Sequence, residues 1–491
     1  MTFSYPLVLR RLFNHWVIAA LFVSAMATSC LHAAEAAGSK PNVLFLFADD
    51  QTFAAIRGFG LTDIDTPNLD RLVRTGTTFT HAYNMGSWSG AVCIASRTML
   101  VTGRSLYDAG GIEKSLNAES ERGVLWPQLM KQAGYRTYFT GKWHVKIDTE
   151  KIFDVVRHQR PGMPRTNKND HNRPIEGQPD TWDAADQTLA GFWEGGKHWS
   201  EIVADDAIDY VTDASRREEP FFMYVAFNAP HDPRQAPQEY LDRYPLERIE
   251  LPATFQPEYP YKEEMAAGVK LRDEQLAPFP RTSYAVRVHR REYYALVTHL
   301  DTQIGRVLDA LDASGQADNT WVFFTADHGL SVGQHGLLGK QNMYDHSLRV
   351  PFMVVGPGVP KNHRMPAPIY LQDVMPTTLA LAGVKSPEHV FYHSLLPQIS
   401  GQQGDSHYPV ILGSYLDKQR AVVRDGWKLI LYPDAKVARL YHVELDQLEL
   451  EDRAGEITQL DRQRRLFAEL LKLQTQLGDT LELRSVYPQL L

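Results

Sequence analysis

The chain has 491 residues, 43% hydrophobic and 22% charged, which is ample for a large buried core and too long for one small domain. Its net charge of −8 excludes a global basic signal for nucleic acid. No apolar run in the body of the chain is long enough to span a membrane.

The first element is terminal. Arg10 and Arg11 precede the apolar run Trp16 to Ala27, and small residues follow in "TSCLHAAEAAGSK". A charged start, a short apolar centre and Ala-rich cleavage candidates predict an export signal over residues 1–34, cut near Ala33–Ala34, which makes the protein periplasmic or secreted. Lipid attachment at Cys30 is the alternative fate of that segment. Cleavage removes Cys30 and leaves Cys93 as the sole thiol of an exported chain, unable to form an internal disulfide.

From Lys40 the pattern alternates short apolar strands with helical stretches. "NVLFLFADD" is a continuous apolar run ending in two acids, and "TPNLDRLVRTG" then has helical spacing. "YRTYFTGKWH", "PFFMYVAFNAPHDP" and "TWVFFTADHG" are three further strand candidates, and "YYALVTHLDTQIGRVLDALDASG" reads as a long helix stopped by Gly315. This pattern predicts an α/β fold: a large, mostly parallel sheet sandwiched by helices, over residues 35–399. Residues 148–200 and 232–285, polar and Pro-rich, read as loop insertions around the ligand edge of that sheet. From residue 400 to 491, "YPVILGSY", "RAVVRDGWKLILYP" and "ARLYHVELD" predict a smaller antiparallel sheet, followed by a helix over 457–477.

Ligands of open α/β sheets bind beyond the carboxyl ends of the strands. Four strand candidates end there in Asp49–Asp50, Lys142–His144, His231 and Asp327–His328. Asp49, Asp50 and Asp327 are hard oxygen donors that suit Ca²⁺, with Mg²⁺ as the alternative. Arg97 lies four residues after Cys93, one helical turn on, in reach of it. Lys151, Arg157, His158, Arg160, Arg165, Lys168, His171 and Arg173 make a basic stretch that fits either an anionic sugar chain or a solvated loop.

"CIASRTMLVTGR", residues 93–104, resembles the signature of type I, formylglycine-dependent sulfatases of the alkaline phosphatase-like superfamily. Cys93, Ala95, Ser96, Arg97, Thr102, Gly103 and Arg104 fall in its register, with Ala95 where the commonest form has Pro. "PNVLFLFADDQ", "GYRTYFTGKWH", "FNAPHDP", "TADHGLSVGQHGLLGK", "SLRVPFMVVGPG" and "LQDVMPTTLALAG" are similar to the family's blocks in the family's order.

The resemblance implies that a maturation enzyme oxidises Cys93 to formylglycine (3-oxoalanine). It further implies that Asp49, Asp50, residue 93, Asp327 and His328 surround the metal, and that Arg97, Lys142, His144, His231 and Lys340 serve catalysis. In the implied reaction a hydrated aldehyde attacks sulfur, His231 or Lys340 protonates the leaving alcohol, and His144 removes the proton that lets sulfate depart. The substrate it implies is a sulfated oligo- or polysaccharide, such as an algal polysaccharide or a glycosaminoglycan fragment. Lys142, His231, Lys340 and Arg234 would contact it. The alternative is a phosphonate or phosphate ester hydrolase of the same superfamily.

Overall fold

A computed structural model describes residues 40–160, 168–193, 196–232 and 234–491. The predicted export signal, with Cys30, lies outside these residues, as does Arg165 of the basic stretch.

The strands follow in chain order as β1 (Asn42–Ala48), β2 (Thr77–Phe79), β3 (Ala82–Tyr83), β4 (Gly86–Ser87), β5 (Arg136–Lys142), β6 (Val155–Arg160), β7 (Phe221–Ala226) and β8 (Thr320–Ala326). Then come β9 (Arg349–Val350), β10 (Phe352–Val355), β11 (His363–Met365), β12 (Ile369–Tyr370), β13 (Ile411–Tyr415), β14 (Gln419–Arg424), β15 (Trp427–Tyr432) and β16 (Val437–His442). Eight of them form one sheet in the order β11-β2-β10-β8-β1-β7-β5-β6. Only β10 runs against the rest.

Every residue of β1, β7 and β8 is buried, as expected of a parallel sheet covered on both faces by helices. The strand ends that carry Asp49–Asp50, Asp327–His328, Lys142 and His231 belong to β1, β8, β5 and β7. These are the four adjacent central strands, so the four polar tips converge on one edge.

A five-stranded sheet, β16-β15-β14-β13-β4, is antiparallel apart from the β13–β4 pair. The helix Leu460–Leu477 packs on it through Leu466, Phe467 and Leu470. Its fifth strand, β4, comes from the segment just before Cys93. There Gly86 has φ +100°, and a Cβ on it would stand 1.8 Å from the Ser414 carbonyl oxygen. Buried Lys428 of β15 pairs with Asp345 and, at 2.8 Å, with Glu449, which fastens this sheet to the segment ahead of β9.

Two elements differ from the sequence expectation. The long helix spans Ser283–Ala313 and so begins ten residues before Tyr293. Thr282 caps it by accepting from the Ala285 amide, and buried His289 and Glu292 make polar contacts inside, which hides the apolar period of that first stretch. Likewise β6, "VVRHQR", is an edge strand with exposed charges, and its pattern reads as loop.

Gly141 sits at a register shift between β5 and β6, with φ +96°, and a Cβ there would lie 1.8 Å from the Ala226 carbonyl oxygen of β7. Only Gly relieves both constraints. Gly141→Ala is therefore expected to cost at least about 2 kcal/mol. It also displaces Lys142. Urea unfolding monitored by circular dichroism measures the loss, and an unchanged midpoint contradicts this account.

Candidate active site

Cys93 stands in the first turn of the helix Val92–Thr102, in which all eleven residues are buried. Such a helix is recognisable by its lack of a polar face. Its Arg97 is aimed inward, one turn on, with its guanidinium 4.8 Å above the Phe47 ring. Gly103 ends it in the left-handed conformation and bonds back to the Met99 carbonyl.

Three carboxylates and three cations meet at this point, all buried. Arg97 Nε donates to Asp327 Oδ2 at 2.8 Å, and its Nη2 lies 3.5 Å from Asp49 Oδ1. Lys142 Nζ pairs with Asp49 Oδ2. Lys340 Nζ lies 2.5 Å from Asp50 Oδ2 and 3.3 Å from Cys93 Sγ, while Cys93 Sγ is 3.6 Å from Asp50 Oδ1. The Asp50 amide donates to Asp327 Oδ1 at 3.1 Å, joining the ends of β1 and β8.

Asp50 has φ +64°, a left-handed conformation uncommon outside Gly. It is held there from two sides. Its amide is engaged as above, and the Tyr293 hydroxyl donates to its carbonyl at 3.2 Å while accepting from the Thr52 amide. His144, at φ +53°, follows β5 with a buried Nδ1 that has no hydrogen-bond partner.

His231 Nδ1 faces two acceptors, the carbonyl oxygen of Asp232 at 2.7 Å and its carboxylate at 3.0 Å, so Nδ1 carries the proton. Nε2 then points to Lys340 Nζ at 2.9 Å and Asp50 Oδ2 at 3.3 Å. Arg272 grips Asp232 at 2.6 Å from behind.

The electrostatics follow from burial set against these pairs. Burial raises the Asp50 carboxyl to about 6 against the pull of His231 and Lys340. For Asp327 burial works the same way, yet Arg97 and Lys142 hold it well below the usual carboxylate range. Burial resists a charge on Lys142 and Lys340, but Asp49 for the first and Asp50 for the second raise both above an ordinary lysine. Burial, then Lys142 and Arg97, push His144 down to about 3, so it is a neutral imidazole. Burial opposes charge on His231 too, but Asp50 outweighs it and the pKa rises. Burial and the three carboxylates push the Cys93 thiol well above its ordinary value.

Of the residues named from sequence, Asp49, Asp50, Cys93, Arg97, Lys142, His231, Asp327 and Lys340 are thus in one contact network. His144 lies beside it without a hydrogen bond to it. Among the described residues, the ligand atoms of Asp49, Asp50, Cys93 and His231 lie within 4.8 Å of one another. His328 turns Nδ1 to the Gly329 carbonyl at 2.7 Å, and burial holds it neutral with a pKa of about 3.

Arg234 is buried three residues past His231, with Nη2 3.4 Å from the Leu338 carbonyl. Within the basic stretch, Arg157 pairs with Asp209, His158 with Asp206 and Arg173 with Asp180 and Glu292. Arg160 lies over the Trp199 ring.

Sequence reasoning missed the bracing residues Asp232, Arg272 and Tyr293, and Asp273, which accepts from the Gln341 side-chain amide at 2.9 Å and lies 4.0 Å from Lys340 Nζ. Arg272 and Asp273 belong to the polar insertion read as loop, where adjacent opposite charges in "LRDEQ" were the available signal. Gln419 of β14 was missed as well. Its amide donates at 2.8 Å to the carbonyls of Gln341 and Met265, backing the turn that carries Lys340.

A doubly covered parallel sheet whose carboxyl edge gathers acids, buried cations and a helix-borne residue 93 places the chain among alkaline phosphatase-like hydrolases. The sulfatase family model matches residues 41–384, and that for the C-terminal part of N-sulphoglucosamine sulphohydrolase matches 333–476. The chain belongs to the sulfatase family and is a sulfuric ester hydrolase.

An N-acetylglucosamine-6-O-sulfatase of Bacteroides thetaiotaomicron is 25% identical over 523 aligned residues, covering 92% of this chain and 89% of the relative. Among solved structures, a protein in complex with its substrate D-glucosamine-2-N,6-O-disulfate superposes with a TM-score of 0.66 at 22% identity, over 90% of this chain and 99% of that one. A phosphonate monoester hydrolase from Silicibacter pomeroyi reaches 0.68 at 19% identity, over 90% and 96%. At these identities the two structures speak for the fold alone.

Replacing Arg97 by Met leaves Asp327 and Asp49 buried with less compensation. Removing one partner of a buried ion pair typically costs about 3–5 kcal/mol. Chemical unfolding of Arg97→Met in the presence of a chelator should show a loss of that order, whereas a loss below about 1 kcal/mol would mean that the pairs contribute no more than surface ones.

Proposed function

We propose that this sulfatase hydrolyses sulfate esters on a sulfated carbohydrate, using a formylglycine formed from Cys93 and a divalent cation held by Asp49, Asp50 and Asp327, with residue 93 and His328 completing the site. The observation that carries the reading is the contact set of residue 93: Asp50 at 3.6 Å and Lys340 at 3.3 Å, with His231 2.9 Å beyond Lys340. A nucleophile, a proton-bearing pair and a place for a cation then share one buried point.

The donor set fits a hard cation. The carboxylates are oxygen donors, and Asp49 Oδ1 is buried with no hydrogen-bond partner. Both amide atoms of the neighbouring Gln51 are also buried without partners. When present, the cation polarises the sulfate group and the hydrated aldehyde supplies a nucleophile with a second hydroxyl for release.

The chain's own residues do the rest. Lys142 and Lys340 place fixed positive charge where negative charge grows on the departing oxygens. His231, its Nδ1–H anchored on Asp232, presents Nε2 beside Lys340, and this pair delivers the proton to the leaving alcohol oxygen. Neutral His144 accepts the proton that must leave residue 93 for sulfate to depart. The raised thiol pKa of Cys93 argues against an unmodified thiolate in this role. A formylglycine-generating maturation enzyme is the partner this chemistry requires. The carbohydrate substrate follows the names of the relatives, and the export signal over residues 1–34 gives a periplasmic or secreted enzyme.

Mass spectrometry of the peptide holding residue 93, after production with the maturation machinery, should show the aldehyde. Cys93→Ser, which lacks the second hydroxyl, should release no sulfate; turnover by that variant rules out the formylglycine route. Paired sulfate and phosphonate esters of one chromogenic alcohol decide between the sulfatase reading and the phosphonate alternative by the ratio of kcat/KM. A phosphonate preference reverses the assignment.

Removing the cation with a chelator and restoring Ca²⁺ at one hundred times its Kd should raise stability by about 2.7 kcal/mol. Asp327→Asn should blunt that gain. A Tm that ignores Ca²⁺, with unchanged activity, argues against the metal.

A further inference from the structure

Several arginines surround the turn that leads to Lys340; three are matched by acids, and half-buried Arg290 donates to the Val332 carbonyl at 3.3 Å and to the Tyr294 hydroxyl at 2.5 Å. Arg272 meets Asp232 at 2.6 Å, Arg281 meets Glu274 at 2.5 Å, and Arg173 meets Glu292 at 2.7 Å and also Asp180. Glu274 in turn accepts from the amides of Leu338 at 3.0 Å and Gly339 at 2.8 Å, so the Arg281–Glu274 pair forms a wall behind the turn that carries Lys340.

Arg234 lies in the same wall and is the buried exception. It is 3% exposed. No carboxylate among the described residues lies within ion-pair distance of it. Its Nε and Nη1 make no hydrogen bond, and Nη2 has only the long contact to the Leu338 carbonyl. The Tyr293 ring, 6.0 Å from the guanidinium, offers a face but no counter-charge.

Burial lowers the Arg234 pKa against the partial pull of Asp232 and Glu292, neither of which lies within ion-pair distance, and a buried guanidinium with open donors gains from a closer counter-ion. The position says what could take that place. Arg234 follows His231 by three residues, and its Nη2 touches Leu338, two residues before Lys340. Arg234 is thus tied to both segments that carry groups facing residue 93. A guanidinium is weakly hydrated and presents planar donors that match carboxylate and sulfate oxygens.

We propose that Arg234 forms a subsite for a second oxyanion, a uronic carboxylate or a further sulfate, carried by the substrate beside the scissile sulfate. The inference rests on the sulfatase reading above and narrows its substrate class to sugars that bear another acid. The unpaired donors of Arg234 complete their hydrogen bonds on that oxyanion, and its burial makes the match strict: a neutral sugar leaves the charge uncompensated.

The test compares a monosulfated hexose, the corresponding monosulfated hexuronic acid and a disulfated hexose, with metal-loaded enzyme whose residue 93 is oxidised. The wild-type enzyme should prefer one of the two dianions over the hexose by about tenfold or more in kcat/KM, mainly through KM. Which dianion wins tells carboxylate from sulfate. Arg234→Met, of similar shape without charge, should bring the ratio to about one. Arg234→Lys keeps the charge without the planar donors; it should give an intermediate ratio, and it stands in should the Met variant fail to fold. A wild-type ratio near one for both dianions, or an equal fall for all three substrates in Arg234→Met, overturns the subsite.

Calorimetry separates this from the parent reading, because it needs no turnover. In a Cys93→Ala background, added Arg234→Met should weaken binding of the preferred dianion about tenfold and of the hexose monosulfate by less. If no sulfate is released from any substrate, the sulfatase reading fails. Equal losses of affinity in the calorimeter defeat the subsite alone.

Discussion

The structure turns on a charge balance at one edge of the sheet. Asp49, Asp50 and Asp327 are buried where four adjacent strands end, and Arg97, Lys142 and Lys340 are buried against them. Neither set could stay ionised in that interior without the other. The helix Val92–Thr102 is drawn in by Arg97, and β5 is registered by Lys142 through the glycine kink just before it. The turn after β8 is fixed by Lys340. Residue 93 has its position because the cation one helical turn beyond it has nowhere else to go.

Around that balance lies a layer that touches none of the reacting atoms. Tyr293 holds the left-handed Asp50 from the long helix, and Arg272 steadies His231 through Asp232. Gln419 supports the Lys340 turn from the smaller sheet. Pre-organisation of this kind lets fixed dipoles and charges act without rearrangement during reaction, which is where most catalytic stabilisation arises.

The central strands were legible in the sequence because a doubly covered parallel strand is apolar throughout, and its polar tip then stands out. "NVLFLFADD" and "TWVFFTADHG" each show a strand and its chemistry in one glance. Cys93 to Arg104 was legible as a motif. What escaped was the polar structure within buried segments. The first ten residues of the long helix carry His289 and Glu292, buried and bonded inside the protein, so burial and hydrophobicity part company there. Arg272 and Asp273 hid in the same way inside a segment whose composition says loop. The smaller sheet was foreseen from "RAVVRDGWKLILYP", but β4 was not: two residues, Gly86 and Ser87, leave no period to detect.

That two-residue strand sets an order of events. β4 pairs with β13 through Ser414 and Tyr415, and Gln419 a few residues on secures the Lys340 turn. The loop closed between them spans most of the protein. During vectorial synthesis the acids of β1 and the helix of Cys93 emerge first, and the Lys340 turn gains its support from Gln419 only once the C-terminal sheet exists. The edge that gathers the three carboxylates is therefore completed only after the C-terminal sheet is made, although its first residues are among the earliest.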